Sequence, residues 1–138
     1  MSRTVADVMT AEPATLDASQ PVSAAAQLMV SQDTGAVILT DDGHVSGIVT
    51  DRDIAVRVVA QDKGPDTPVR EACSEELTTV GPDTSIEQVV QLMRDKAVRR
   101  IPVVEGDHAV GIVSIGDLAI DRDSDSALAD ISAAKGNR

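Results

Sequence analysis

Two short stretches place a hydroxyl three residues before a carboxylate. They are Thr50 with Asp53 in GIVTDRD (47–53), and Ser114 with Asp117 in GIVSIGD (111–117). Where a helix starts, residues three apart share one face, so each pair opens at a common mouth. An ionised carboxylate accepts hydrogen bonds only, whereas a hydroxyl donates or accepts. Such a pair suits a ligand bearing hydroxyls or an anion. It also suits a helix cap, with the acid favoured by the helix dipole. First-turn N–H groups add anion affinity. The residues between differ: Asp51 and Arg52 in the first copy, Ile115 and Gly116 in the second. Gly116 lets backbone approach a ligand closely. Arg52 either meets a phosphate or pairs with Asp51 or Asp53.

The duplication extends well beyond these mouths. A shift of 64 positions lays Val5 on Val69, Thr15 on Thr79 and Gln27-Leu28-Met29 on Gln91-Leu92-Met93. It also lays His44 on His108, Gly47-Ile48-Val49 on Gly111-Ile112-Val113 and Asp53 on Asp117, without insertion. A constant offset of this kind marks a repeated structural unit.

Each half predicts the same elements. Residues 20–32 predict a helix with Val22, Ala25, Ala26 and Met29 on one stripe, Ser19 as its cap and Pro21 in its first turn. Residues 36–40 and 45–50 predict a hairpin around DDGH. A helix is expected from Asp51 or Arg52 to about Gln61, with Ile54, Val58 and Val59 inward. The second half predicts a helix over 85–96 capped by Asp83 or Thr84, strands at 100–104 and 109–114, and a shorter helix near Gly116. The segments VADVM and VREAC each predict one helical turn leading to a small strand. The expected organisation is a first motif at 4–62, a linker at 63–68, a second motif at 69–122 and a polar tail at 123–138. Leu128 and Ile131 would share one side of any tail helix. Neither half has enough residues to bury a stable core alone. Two copies packed sheet to sheet about a pseudo-two-fold axis would solve this.

Composition narrows the function classes. The net charge of −11 repels phosphate backbones and anionic membranes, so neither nucleic acid nor membrane is an expected partner. The chain has no Phe, Tyr or Trp. Bases therefore cannot stack on aromatic rings, as they do in single-strand binders. Cys73 is the only cysteine, which excludes an intrachain disulfide and suits the cytoplasm. It reads as a small buried apolar residue, with a reactive thiol as the alternative. No signal-like apolar stretch opens the chain, and no run approaches the roughly 20 apolar residues that span a bilayer. His44 and His108 fall in the hairpin turns, and no Cys or His cluster has metal-ligand spacing, so no metal is expected. Met9, Met29 and Met93 read as core fillers. No nucleophile–base pair, metal motif or P-loop is present, and an enzyme is not expected.

The repeated helix–hairpin–helix unit ends in Gly-apolar-Val-Thr/Ser-x-x-Asp. With DVMT (7–10) and RRIPVVE (99–105), it resembles the cystathionine-β-synthase (CBS) domain. The tandem resembles the CBS pair, or Bateman module, in the small stand-alone bacterial form that includes the hypoxic-response type. The likeness covers roughly residues 4–122. It implies an α/β (α+β) fold of two pseudo-symmetric motifs, each a small sheet with two flanking helices. It also implies a regulatory module that binds AMP, ADP, ATP or S-adenosylmethionine in the clefts between motifs, often as a dimer of pairs.

On that resemblance Asp53 and Asp117 take the ribose diol, while Thr50 and Ser114 take phosphate or simply cap. Arg99 and Arg100 reach phosphates, or they are surface cations answering the acidic balance. Their first-copy counterparts, Gly35 and Ala36, carry no charge, so only the second copy supplies cations here. A low total of cations favours AMP over ATP. Thr10, Ala14, Thr15 and Ala36 in the first copy, and Ser74, Thr78, Thr79 and Ile101 in the second, line the expected base pockets. Thr15 and Thr79 are equally ordinary β-branched strand residues. Ile38, where the second copy has Pro102, departs from the family pattern. The alternative is a ligand-free module for dimerisation or for an unidentified protein partner, with degenerate nucleotide sites.

Overall fold

The computed structural model describes residues 3–73 and 77–122. In chain order the strands and helices are β1 (Thr10–Ala11), β2 (Thr15–Asp17), α1 (Val22–Gln32), β3 (Ala36–Asp41), β4 (His44–Thr50), α2 (Asp51–Ile54), α3 (Ile86–Lys96), β5 (Arg100–Glu105), β6 (His108–Ser114) and α4 (Ile115–Arg122). A π-helical segment, Ala55–Val59, continues α2, and 3₁₀ turns occupy Val5–Asp7 and Val69–Glu71. Among the described residues no helix is long and apolar enough to cross a membrane.

The described residues form two compact units that cut across the repeats. One draws on 3–13 and 78–122, the other on 14–73 with 77. Each repeat's leading turn thus serves the other repeat's helix and hairpin. In the first unit Val5 N–H donates to the Thr84 carbonyl at 2.8 Å, and Thr4 bridges to Ser85. In the second unit Val69 N–H donates to the Gln20 carbonyl at 2.8 Å, and Pro68 bridges to Pro21. Val5 and Val69 are both fully buried. A valine of that kind contributes roughly 1.5–3 kcal/mol of hydrophobic burial, enough to hold a turn far away in sequence.

The first unit carries a sheet ordered β1-β6-β5, with Val80 added beside Val103. Its core joins Val5, Ile86, Val89, Met93, Ile101, Val103, Val113 and Leu118. Ile86, Val89 and Met93 lie at helical spacing and turn one face of α3 inward. The cap of α3 is Ser85 in place of Asp83 or Thr84. Its hydroxyl accepts from Gln88 N–H at 3.2 Å, while the Gln88 side chain accepts from Ser85 N–H at 3.3 Å. Thr84 also stands three residues before an acid, Glu87, but the box that forms is the one between Ser85 and Gln88.

The second unit carries a sheet ordered β2-β3-β4 and its own core, which includes Val22, Ala25, Val37, Leu39, Val49, Val58 and Val69. Helix α1 is preceded by Pro21 in extended conformation rather than capped by Ser19. The Ser19 hydroxyl and N–H both donate to Asp17 Oδ1 instead, which removes it from the helix end. Of the expected stripe on α1, Val22 and Ala25 are buried, Met29 is half-buried and Ala26 is exposed. Val59, expected inward, is 66% exposed. The cause is local: Ala60 N–H donates to the Ala55 carbonyl at 2.9 Å, a five-residue step that breaks the 3.6 period.

Both hairpins carry a register shift, between Leu39 and Thr40 and between Val103 and Val104. Their turns differ. Asp42 and Gly43 both have positive φ, at 53° and 81°, whereas in the second turn Gly106 has φ 64°. These are the φ signs of primed turns, whose twist matches the flanking strands. The histidines do not sit at the turn tips. Each opens the returning strand, His44 opposite Asp41 and His108 opposite Glu105, and both are exposed.

Backbone proximity separates two equivalent glycines. A Cβ added at Gly111 would lie 3.0 Å from the Thr10 carbonyl oxygen and 2.9 Å from Met9 Cγ. At Gly47 it would meet Cys73 Sγ at 3.3 Å. We therefore expect Gly111→Ala to cost about 1–3 kcal/mol, the usual range for overpacking, and Gly47→Ala to cost less. Urea denaturation of the two variants measures the difference.

Candidate functional site

The two hydroxyl–carboxylate pairs adopt the same geometry at the end of their hairpins. In the second unit Asp53 N–H donates to Thr50 Oγ1 at 3.1 Å, and Thr50 N–H donates to Asp53 Oδ2 at 2.9 Å. In the first unit Asp117 N–H donates to Ser114 Oγ at 3.2 Å, and Ser114 N–H donates to Asp117 Oδ2 at 2.9 Å. Each is a reciprocal capping box closed by aspartate. The cap reading of Thr50 and Ser114 is thus realised. It does not exhaust the carboxylates. Each carboxylate has about four acceptor positions, and the box uses one of them. The box also locks the carboxylate in place, so a ligand would meet a group already oriented.

The neighbours of each box come from the first strand of its hairpin. Ala36 pairs with Thr50, and Arg100 pairs with Ser114. Asp51 N–H donates to the Gly35 carbonyl at 3.0 Å, and Ile115 N–H donates to the Arg99 carbonyl at 2.9 Å. Arg99 is exposed and Arg100 half-buried, and their backbones adjoin the Ser114–Asp117 box. Ala36 is buried, and Ile101 is fully buried in the first unit's core opposite Val113.

The expected base-pocket residues are distributed differently from the sequence repeats. Thr10 pairs with Ile112 in the first unit, while Ala14 and Thr15 lie in the second. Thr10 thus belongs to one unit, and Ala14 and Thr15 to the other. Ala14 offers its carbonyl to Ile38 N–H at 2.9 Å, and Thr15 is exposed opposite Ile38. Thr78 is half-buried. Thr79 is exposed and helps line a hollow of about 490 Å³ with Thr84, Gln88, Gln91 and Asp95. Ser74 lies outside the described residues, as does the tail carrying Leu128 and Ile131.

The first copy has no cation at the strand entry, where Gly35 and Ala36 stand, but it brings one from its helix: Arg57 Nε stands 3.8 Å from Asp53 Oδ1. Arg57 and Arg70 both act on the Cys73 thiol, as does the Asp53 carboxylate. Burial pushes that thiol up from its usual range and Asp53 adds to the rise, while the two arginines oppose it. Its Sγ donates to the Arg70 carbonyl at 3.2 Å. The signal for Arg57 was present in the sequence as an i,i+4 partner of Asp53. Arg70 carried no such signal, since only the fold sets it among the groups that act on Cys73. Among the described residues, no group of three or more His, Cys, Asp or Glu side chains is placed to hold a metal ion.

A family model for the CBS domain matches the chain twice, at residues 5–60 and 69–120. The chain belongs to the CBS-domain family. It is 42% identical over 132 residues to the CBS domain-containing protein YhcV of Bacillus subtilis, covering 93% of this chain and 94% of that one. It is 34% identical over 118 residues to Hypoxic response protein 1 of Mycobacterium tuberculosis, covering 84% and 82%. A hexameric CBS-CP12 protein from bloom-forming cyanobacteria superposes with a TM-score of 0.81 at 28% identity, covering 89% of this chain and 70% of that one. The tandem CBS pair is thus the architecture, and CBS pairs are regulatory, ligand-binding modules as a class. YhcV is matched nearly end to end.

Proposed function

We propose that this CBS pair senses an adenosine nucleotide, with AMP favoured over ADP, ATP or S-adenosylmethionine, and acts in the cytoplasm. The observation that supports this reading most is the duplicated capping box. In both copies a backbone-locked aspartate closes onto a hydroxyl, with Arg57 3.8 Å from Asp53 and Arg100 in register with Ser114. A carboxylate so held accepts both hydroxyls of a ribose, and a nearby guanidinium meets one phosphate. So few cations match a monophosphate better than a triphosphate. Ligand binding regulates only through different affinities for two states, here two assembly or partner states. The hexameric assembly of the cyanobacterial relative supports self-association of this chain.

The test is calorimetry with AMP, ADP, ATP and S-adenosylmethionine, joined to native mass spectrometry of freshly purified protein. AMP binding, with a shift in oligomer distribution, is the expected result. Absence of binding by all four at millimolar concentration rejects the reading.

A ligand-free interaction module is the second reading, and one observation favours it. Both boxes are complete without ligand, so each aspartate already has a structural reason to be there. This reading also accounts for an apolar groove of about 400 Å³ on the first unit, lined by Val90, Met93, Val98, Ile115, Leu118 and Ala119 with Arg94.

A further inference from the structure

The two mouths differ in where their positive charge sits. At the Ser114–Asp117 box Arg99 and Arg100 lie on the adjoining strand. At the Thr50–Asp53 box the arginine is Arg57, one helical turn beyond the carboxylate. The sequence offset pairs Arg57 with Asp121. The second copy has therefore no cation at the corresponding position.

We propose that Arg57 makes the Asp53 mouth selective for a phosphorylated nucleoside over the bare nucleoside. This rests on the nucleotide reading of that mouth and names the residue that reads the phosphate there. The argument begins with the Asp53 carboxylate. Oδ2 holds Thr50 N–H, and Oδ1 faces Arg57. A neutral diol arriving at Oδ1 must share it with the guanidinium. A ligand that also carries a phosphate gives Arg57 a stronger acceptor and frees Oδ1 for the diol. The ion pair is an exposed i,i+4 contact, which is weak and easily exchanged.

One further feature supports the arrangement. Arg57 lies within the π-helical segment Ala55–Val59, and π-bulges occur often at functional sites.

The experiment titrates the full chain with AMP, adenosine and inorganic phosphate while following backbone amide resonances. Amides of Thr50–Asp53 report one mouth, and those of Ser114–Asp117 report the other. At the Asp53 mouth AMP should bind roughly tenfold or more tighter than adenosine, the worth of one charge-assisted hydrogen bond. Arg57→Gln should bring that ratio close to one and leave the ratio at the Asp117 mouth unchanged. Arg57→Lys should keep most of the preference, and preserved amide dispersion shows that the variants fold. An unchanged ratio in Arg57→Gln overturns this inference and leaves nucleotide sensing standing. No response of either mouth to AMP at millimolar concentration overturns both. Inorganic phosphate binding at the Asp53 mouth as tightly as AMP also overturns it, because the diol would then contribute nothing.

Discussion

Ile101→Ala is expected to lower stability by about 2–5 kcal/mol and to leave AMP affinity per folded molecule unchanged. Ile101 is fully buried, sits opposite Val113 and joins a core that includes Val5, Val89 and Val103. Removing its branched side chain loses transfer energy and leaves a cavity that the two strands cannot fully close. Urea denaturation measures the loss, and hydrogen exchange locates it. Because Val5 belongs to this core, protection should fall in α3, β6 and the Val5–Asp7 turn together. A fall confined to β3 and β4 would contradict the exchange of leading segments. A large loss of AMP affinity in the folded variant would return Ile101 to the ligand pocket.

The outcome at Ile101 shows where sequence reasoning stops. The hairpins, the helices and the chemistry of both boxes were legible, because each depends on residues a few positions apart. Thr50 and Asp53 form their box through local hydrogen bonds, and so do Ser114 and Asp117. Position 101 was assigned from the family resemblance, and no local rule distinguishes a strand residue facing a pocket from one facing a core. The exchange of Val5 and Val69 was hidden for a related reason. A repeat found by sliding the chain shows which segments are equivalent, and equivalence says nothing about which copy packs with which. The two core clusters decide that, with Val5 beside Ile86 and Val69 beside Val22. Arg70 was missed on the same ground. The inward placing of Val59 failed for a different one, since periodicity assumes a regular α-helix and the chain leaves it at Ala55.

The paired substitutions Asp53→Asn with Asp117→Asn separate the two roles that each aspartate is given. An asparagine carbonyl accepts one N–H as a carboxylate does, so each box keeps its bond to Thr50 or Ser114. What is lost is the charge and one acceptor oxygen. If the aspartates hold a ribose diol, AMP affinity should fall roughly tenfold to a hundredfold at each mouth, the worth of a hydrogen bond to a charged group. Stability should change little. Asp53→Ala with Asp117→Ala also removes the carboxylate half of each box, leaving the backbone N–H on the hydroxyl, and should cost about 0.5–1.5 kcal/mol more for each hydrogen bond lost. Calorimetry and urea denaturation of both double variants give four values that no single role reproduces. A purely structural role predicts a stable Asn variant with undiminished AMP binding. A purely ligand-binding role predicts an Ala variant as stable as the parent. The proposed nucleotide reading predicts loss of affinity in both variants and loss of stability in the Ala variant alone, because it gives the same carboxylate both a helix to close and a ligand to hold.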